Sequence, residues 1–156
     1  MSKLSIRPGK FEESYTVFNI FERTLADLAR RFGSTSSFSV DDPLALERMW
    51  AERCSLYEHL AVTADQFWLA EREGTAIGFA RSIIRDGVRQ LTELFVLPGE
   101  QAGGIRRTLM ACAFPPMKEA KYNSIIASPD IPTQVLYLKS GVYPRFPVYY
   151  FGRSPE

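Results

Sequence analysis

The chain has 156 residues, of which 46% are hydrophobic and 24% charged, the size and balance of one domain spanning residues 1–156 around one core. Its formal net charge of +1, from 19 basic and 18 acidic residues, provides no broad basic field for nucleic acid and no acidic tail. The start MSKLSIRPGK has no apolar run after its charges, and no segment is long and apolar enough to cross a bilayer, so a cytoplasmic protein with neither signal peptide nor membrane span is expected. Cys54 and Cys112 show neither metal-ligand nor disulfide spacing, and the single histidine, His59, argues against zinc. Cys54 and His59 fall on one predicted helix and could form a thiol–imidazole pair, although a buried cysteine is usually only a small hydrophobe.

Leu4 to Arg7 alternates apolar and polar residues and reads as a short strand closed by Pro8-Gly9. Phe11, Tyr15, Phe18, Phe21, Leu25, Leu28 and Phe32 recur at spacings of three and four, one face of a long helix ended by Gly33. A polar loop leads to Asp42-Pro43, a cap and first-turn proline for a second helix reaching about Leu60, with Leu46, Trp50, Tyr57 and Leu60 inward. Three strands follow, Gln66–Glu71, Ala76–Arg85 and Gln90–Val96, joined by tight turns at Glu73-Gly74 and Asp86-Gly87, which describes an antiparallel meander. A helix over Gly103–Phe114 carries Ile105, Leu109 and Ala113 four apart and stops at Pro115-Pro116. Tyr122–Ala127 reads as a strand, Pro132–Ser140 as a short helix stopped by Gly141, and Pro147–Phe151 as a last strand. The order β-α-α-β-β-β-α-β-α-β mixes meander and crossover. It predicts an α+β fold, with a twisted, mostly antiparallel mixed sheet of about six to seven strands and helices on both faces.

The chemistry lies in LTELFVLPGEQAGGIRRTLM, Leu91 to Met110, where a strand, a glycine-rich turn and a helix follow one another. The first amides of a helix have no internal partners and carry the positive end of its dipole. Small residues let a phosphate approach those amides; Gln101, Ala102, Gly103 and Gly104 sit where such a nest would form, and Arg106 and Arg107 add charge beside it. The stretch is not a P-loop, since no Gly-Lys-Ser/Thr follows, and it is a poor dinucleotide fingerprint, since its strand belongs to a meander.

Val96-Leu97-Pro98 with Gln101-Ala102-Gly103-Gly104-Ile105-Arg106 resembles the acetyl-CoA signature of the GNAT superfamily of N-acetyltransferases. WLAEREGTAIGFA, Trp68 to Ala80, is similar to the hairpin that precedes that signature, and VLYLKSGVY, Val135 to Tyr143, to the family's late helix. The resemblance implies a direct transfer from acetyl-CoA to the amine of a small-molecule or peptide acceptor, with no metal. It places the pyrophosphate on the amides from Gln101 to Arg106, Ile105 included, and the pantetheine arm along Leu94, Phe95 and Val96. It makes the Val96 amide the oxyanion donor, Tyr137 the acid that protonates the departing thiolate, and Glu93 a base acting through water. The acceptor would be shaped by Phe11 to Leu60, with Ser34 to Asp42 as a flap, and such domains commonly form homodimers. Arg106 stands where the signature has Gly or Ala, Asp130 where many members have Asn, and Val142 where they have Phe. An arginine at 106 either binds phosphate or fills its space, and the second choice suggests an alternative, a non-catalytic binding module on the same fold.

Overall fold

The computed structural model describes residues 3–33, 40–101, 103–116 and 120–149. The chain begins with β1 (Leu4–Pro8) and a single 3-10 turn (Phe11–Glu13), then builds α1 (Ser14–Arg31) and α2 (Pro43–Thr63). Next come β2 (Gln66–Arg72), β3 (Thr75–Arg85) and β4 (Val88–Val96). α3 (Ile105–Ala113), β5 (Tyr122–Ile125) and α4 (Ile131–Lys139) complete the described elements.

The sheet order is β1-β2-β3-β4-β5, antiparallel through β4, with β5 parallel to β4. The meander follows from its turns. Glu73 and Gly74 have φ of 52° and 80°, and Asp86 and Gly87 have 51° and 77°, the paired left-handed residues that match a two-residue turn to the strand twist. The crossover that makes β5 parallel to β4 carries α3.

Strand alternation gives the sheet two covered faces. Leu69 and Phe79 pack with Val17 and Phe18 of α1 and Leu46, Met49 and Tyr57 of α2. Ala70, Ala80 and Val96 pack with Ile105, Leu109 and Ala113 of α3. The helix starts follow their caps: the Asp42 carboxylate accepts from Leu44 N at 3.0 Å, and Asp130 accepts from Thr133 N at 3.3 Å.

The structure corrects five expectations. Five strands are present among the described residues, not six to seven. Pro147 to Tyr149 form no strand, and the remainder of that expected strand lies outside the described residues. Pro144 and Pro147 lack backbone N–H groups and cannot donate to a ladder there. The aromatic stripe is not one buried face: Phe11, Tyr15, Leu25 and Phe32 are exposed, whereas Ser14, Val17, Phe18 and Thr24 are buried. A run that long drifts around the helix, so only its centre meets the sheet. α3 starts at Ile105 because Gly103 and Gly104, with φ of 76° and 75°, take the left-handed conformation. β5 stops at Ile125, short of the expected Ala127.

Candidate active site

The site originates in a defect of the β3–β4 ladder. Arg85 pairs with Val88 and Ser82 with Leu91, but Arg81 pairs with Glu93. Thr92 is therefore an extra residue, and its hydroxyl donates to the Arg81 carbonyl at 3.0 Å. Such a bulge bends its strand and raises the local twist. β4 accordingly pairs with β5 only from Val88 to Leu91, and beyond the bulge its outer edge is open.

The direction of that edge is legible in the hydrogen bonds. Leu97 N donates to Ile77 O on β3 at 2.8 Å. The polar groups of Val96, one residue earlier, therefore turn away from β3. Its carbonyl meets Thr24 Oγ1 and Gln101 Nε2 at 3.5 Å each, so its N–H faces the same open side.

A cleft of about 200 Å³ lies along this edge. Its walls come from Thr24, Leu25, Leu28 and Arg31 of α1, from Leu91 to Val96 of β4, from Arg106 of α3, from Ile125, Ile126 and Ser128, and from Asp130, Thr133 and Tyr137 at α4. Among the residues singled out from the sequence, Glu93, Leu94, Phe95, Val96, Arg106 and Tyr137 thus share one cavity. Gln101, Gly103 and Gly104 form the turn at the start of α3, beside the cleft. Ile105 commits its side chain to the core, leaving only its amide, and Arg107 is exposed outside the lining. Ala102 lies outside the described residues.

Tyr137 is 9% exposed, and burial pushes its hydroxyl up to about 12, with Arg106 pulling the other way. It is protonated at neutral pH and has a proton to give. Glu93 is held by Arg81, whose Nη2 donates to one carboxylate oxygen at 2.8 Å while Nε donates to the other. Arg81 is fully buried, donates Nη1 to Tyr57 O at 3.2 Å, and lies 5.2 to 5.8 Å from the ring centres of Tyr57, Phe67 and Phe79. Burial pushes the Glu93 carboxyl up, and the Arg81 guanidinium opposes it.

Arg106 points across the cleft: its Nη1 is 3.4 Å from Thr133 Oγ1 and 3.9 Å from Asp130 Oδ2. Asp130 also accepts from Arg31 Nη1 at 2.9 Å. Burial pushes the Asp130 carboxyl up, but Thr133 and Arg31 outweigh it and hold it below its ordinary value. Sequence reasoning did not find Arg81, Arg31 or Thr24. A regular hairpin from Asp86-Gly87 would set Arg81 opposite Thr92, so only the bulge brings it to Glu93. Cys54 donates weakly to Ala51 O at 3.7 Å within its own helix, and His59 is exposed. Among the described residues no group of three or more His, Cys, Asp or Glu side chains converges to hold a metal, and no helix is long and apolar enough to cross a membrane.

A bulged strand thus runs beside a helix led by two glycines, and this arrangement invites comparison with known folds. The Acetyltransferase (GNAT) family matches residues 24–142, more than half of the chain, and the protein belongs to that family. Among curated proteins no sequence matches it. Among solved structures it is similar to a GCN5-related N-acetyltransferase from Ralstonia eutropha JMP134, with TM-score 0.67 and 20% identity over 95% of this chain and 97% of that one. It is similar as well to the aminoglycoside N-acetyltransferase AAC(6')-Iy in complex with CoA, with TM-score 0.64 and 18% identity over 98% and 96%. A protein from Clostridium acetobutylicum described as a predicted acetyltransferase, solved with acetyl-CoA, gives TM-score 0.65 and 16% identity over 96% of each chain. At these identities the likeness is one of fold.

Proposed function

We propose that this protein is an N-acetyltransferase that moves the acetyl group of acetyl-CoA to the amine of a small-molecule acceptor by direct attack on the thioester. The observation that carries the reading is the single cleft joining the start of α3, the open edge of β4 and Tyr137. Acetyl-CoA supplies an activated acyl group, and the protein has to hold, orient and neutralise. The unpartnered amides at the start of α3 suit the pyrophosphate, and the left-handed Gly103 and Gly104 keep side chains out of its way. The open backbone of Leu94 to Val96 suits the amide-bearing arm, which adds to the edge like another strand. The Val96 N–H donates to the carbonyl oxygen as charge builds there. Tyr137 gives its proton to the sulfur as the carbon–sulfur bond breaks and the carbon–nitrogen bond forms. Glu93 keeps a second lone pair on each oxygen beyond those used by Arg81, enough to hold a water that relays the amine proton to its carboxylate.

A small-molecule acceptor is supported by a fold neighbour solved with CoA-S-monomethyl-acetylneamine and by another described as an aminoglycoside acetyltransferase. The free thiols of Cys54 and Cys112 accord with a cytoplasmic setting. A second reading, a non-catalytic binding module, is favoured by one observation: Arg106 lies across the α3–α4 side of the cleft. A screen of amines, aminoglycosides included, with detection of thiol release separates the two. At least one amine raising thiol release well above the acetyl-CoA blank supports the enzyme; a blank-level rate with every amine, despite bound cofactor, supports the module.

A further inference from the structure

Arg106 and Asp130, two departures from the family's pattern, face one another. An arginine on the first turn of α3 reaches across the cleft to the first turn of α4, with Nη1 at 3.4 Å from Thr133 Oγ1 and 3.9 Å from Asp130 Oδ2. We propose that Asp130 is a positioning residue for the cofactor: it parks the Arg106 guanidinium across the α3–α4 cleft, and Arg106 exchanges Asp130 for a CoA phosphate on binding. The inference rests on the acetyl-CoA reading above.

Three features carry it. First, Arg106 is the second residue of α3, so its stem stands beside the free amides that a phosphate would occupy, and its head reaches either partner. Second, Asp130 does not need Arg106. It is 5% exposed, and a buried carboxylate left alone is costly. Its Oδ1 accepts from Arg31 Nη1 at 2.9 Å, and its Oδ2 accepts from Thr133 Oγ1 at 2.5 Å and Thr133 N at 3.3 Å. Arg31 is fixed in turn by Asp27 at 3.2 Å. Asp130 thus has one fixed cation and one exchangeable one. Third, the exchangeable pair is the looser, since 3.9 Å is longer than a direct charge-assisted hydrogen bond. A phosphate offers Arg106 a closer, two-pronged contact. The arginine that the motif does not anticipate is thereby kept off the amides while the cleft is empty and becomes a ligand when it fills.

Calorimetric titration of CoA into the wild type, Asp130→Asn, Arg106→Gln and the double variant tests this. Asparagine retains the cap on α4, so Asp130→Asn removes charge without removing the helix start. Asp130→Asn is expected to bind CoA about two- to fivefold tighter, the worth of a partly exposed ion pair, and Arg106→Gln about tenfold weaker or more. In the Arg106→Gln background Asp130→Asn is expected to change nothing. Unchanged or weaker binding by Asp130→Asn overturns the proposal, as does an equal gain in both backgrounds, which would be general electrostatics. Without any substitution, the Arg106 Nε–H resonance of the wild type is expected to shift on adding CoA while that of Arg31 stays; an unmoved Arg106 contradicts the exchange. Absence of heat in all four proteins removes the acetyl-CoA reading itself, whereas equal affinities across the four remove only this inference.

Discussion

Arg81 and Glu93 put two charges into the apolar interior, one fully buried and the other 8% exposed. The pair persists because the guanidinium is held on every side: three aromatic rings, one carbonyl and a two-pronged carboxylate surround it. Removing one partner strands the other, so Arg81→Met is expected to lose about 3–5 kcal/mol of stability, and Arg81→Met with Glu93→Leu to recover most of it. Chemical denaturation of both variants checks this. At Tyr137, loss of the hydroxyl is expected to lower kcat by about a hundredfold or more and leave CoA affinity unchanged; stopped thiol-release assays beside calorimetry give both numbers, and an unchanged kcat removes Tyr137 from the mechanism. Asp130 has a depressed folded-state pKa, so its stabilising contribution is present above the ordinary aspartate value of 3.8 and lost as pH falls through the depressed one. Thermal melts of Asp130→Asn should therefore decline less steeply with acid than those of the wild type below about pH 4. A family resemblance of the strand and the late helix pointed to Glu93 and Tyr137, which do line the cleft; Arg81 was missed because the bulge, not the residue order, sets its partner.

Each element with strong local chemistry was readable. The left-handed pairs Glu73-Gly74 and Asp86-Gly87 fixed the meander, Asp42-Pro43 fixed the start of α2, and Gly141, with φ of 79°, closed α4. The extra residue at Thr92 was not readable, because a bulge adds no distinctive residue type and shows only as a slipped register. It is nevertheless the feature that opens β4. Gly78 protects the same strand from the other side: it pairs with Val96, and a Cβ there would come within 2.9 Å of both Phe95 O and Val96 Cγ2. Gly78→Ala is expected to cost about 1–3 kcal/mol through overpacking and to push Val96 toward the cleft, lowering acetyl transfer more than CoA affinity. Equal losses in both, measured by thiol release and calorimetry, would argue against the proposed role of the Val96 amide.

At the scale of the molecule, the sheet separates two tasks. One face buries the aromatic helices α1 and α2, with Phe21 and Phe95 at 4.8 Å between ring centres, in the region expected to shape the acceptor. The other packs on α3, whose start borders the cleft. The alternation of Leu69 with Ala70 and Phe79 with Ala80 makes both faces apolar, which is why element order alone indicated helices on two sides. What order could not give was the acceptor, since packing requirements on α1 and α2 explain most of their aromatic residues before any ligand does. The central claim concerns the cleft between the faces, and calorimetric titration with acetyl-CoA tests it most directly. Saturable binding at one site per chain, with a Kd below about 1 mM, is the predicted result; no heat of binding up to that concentration would contradict it.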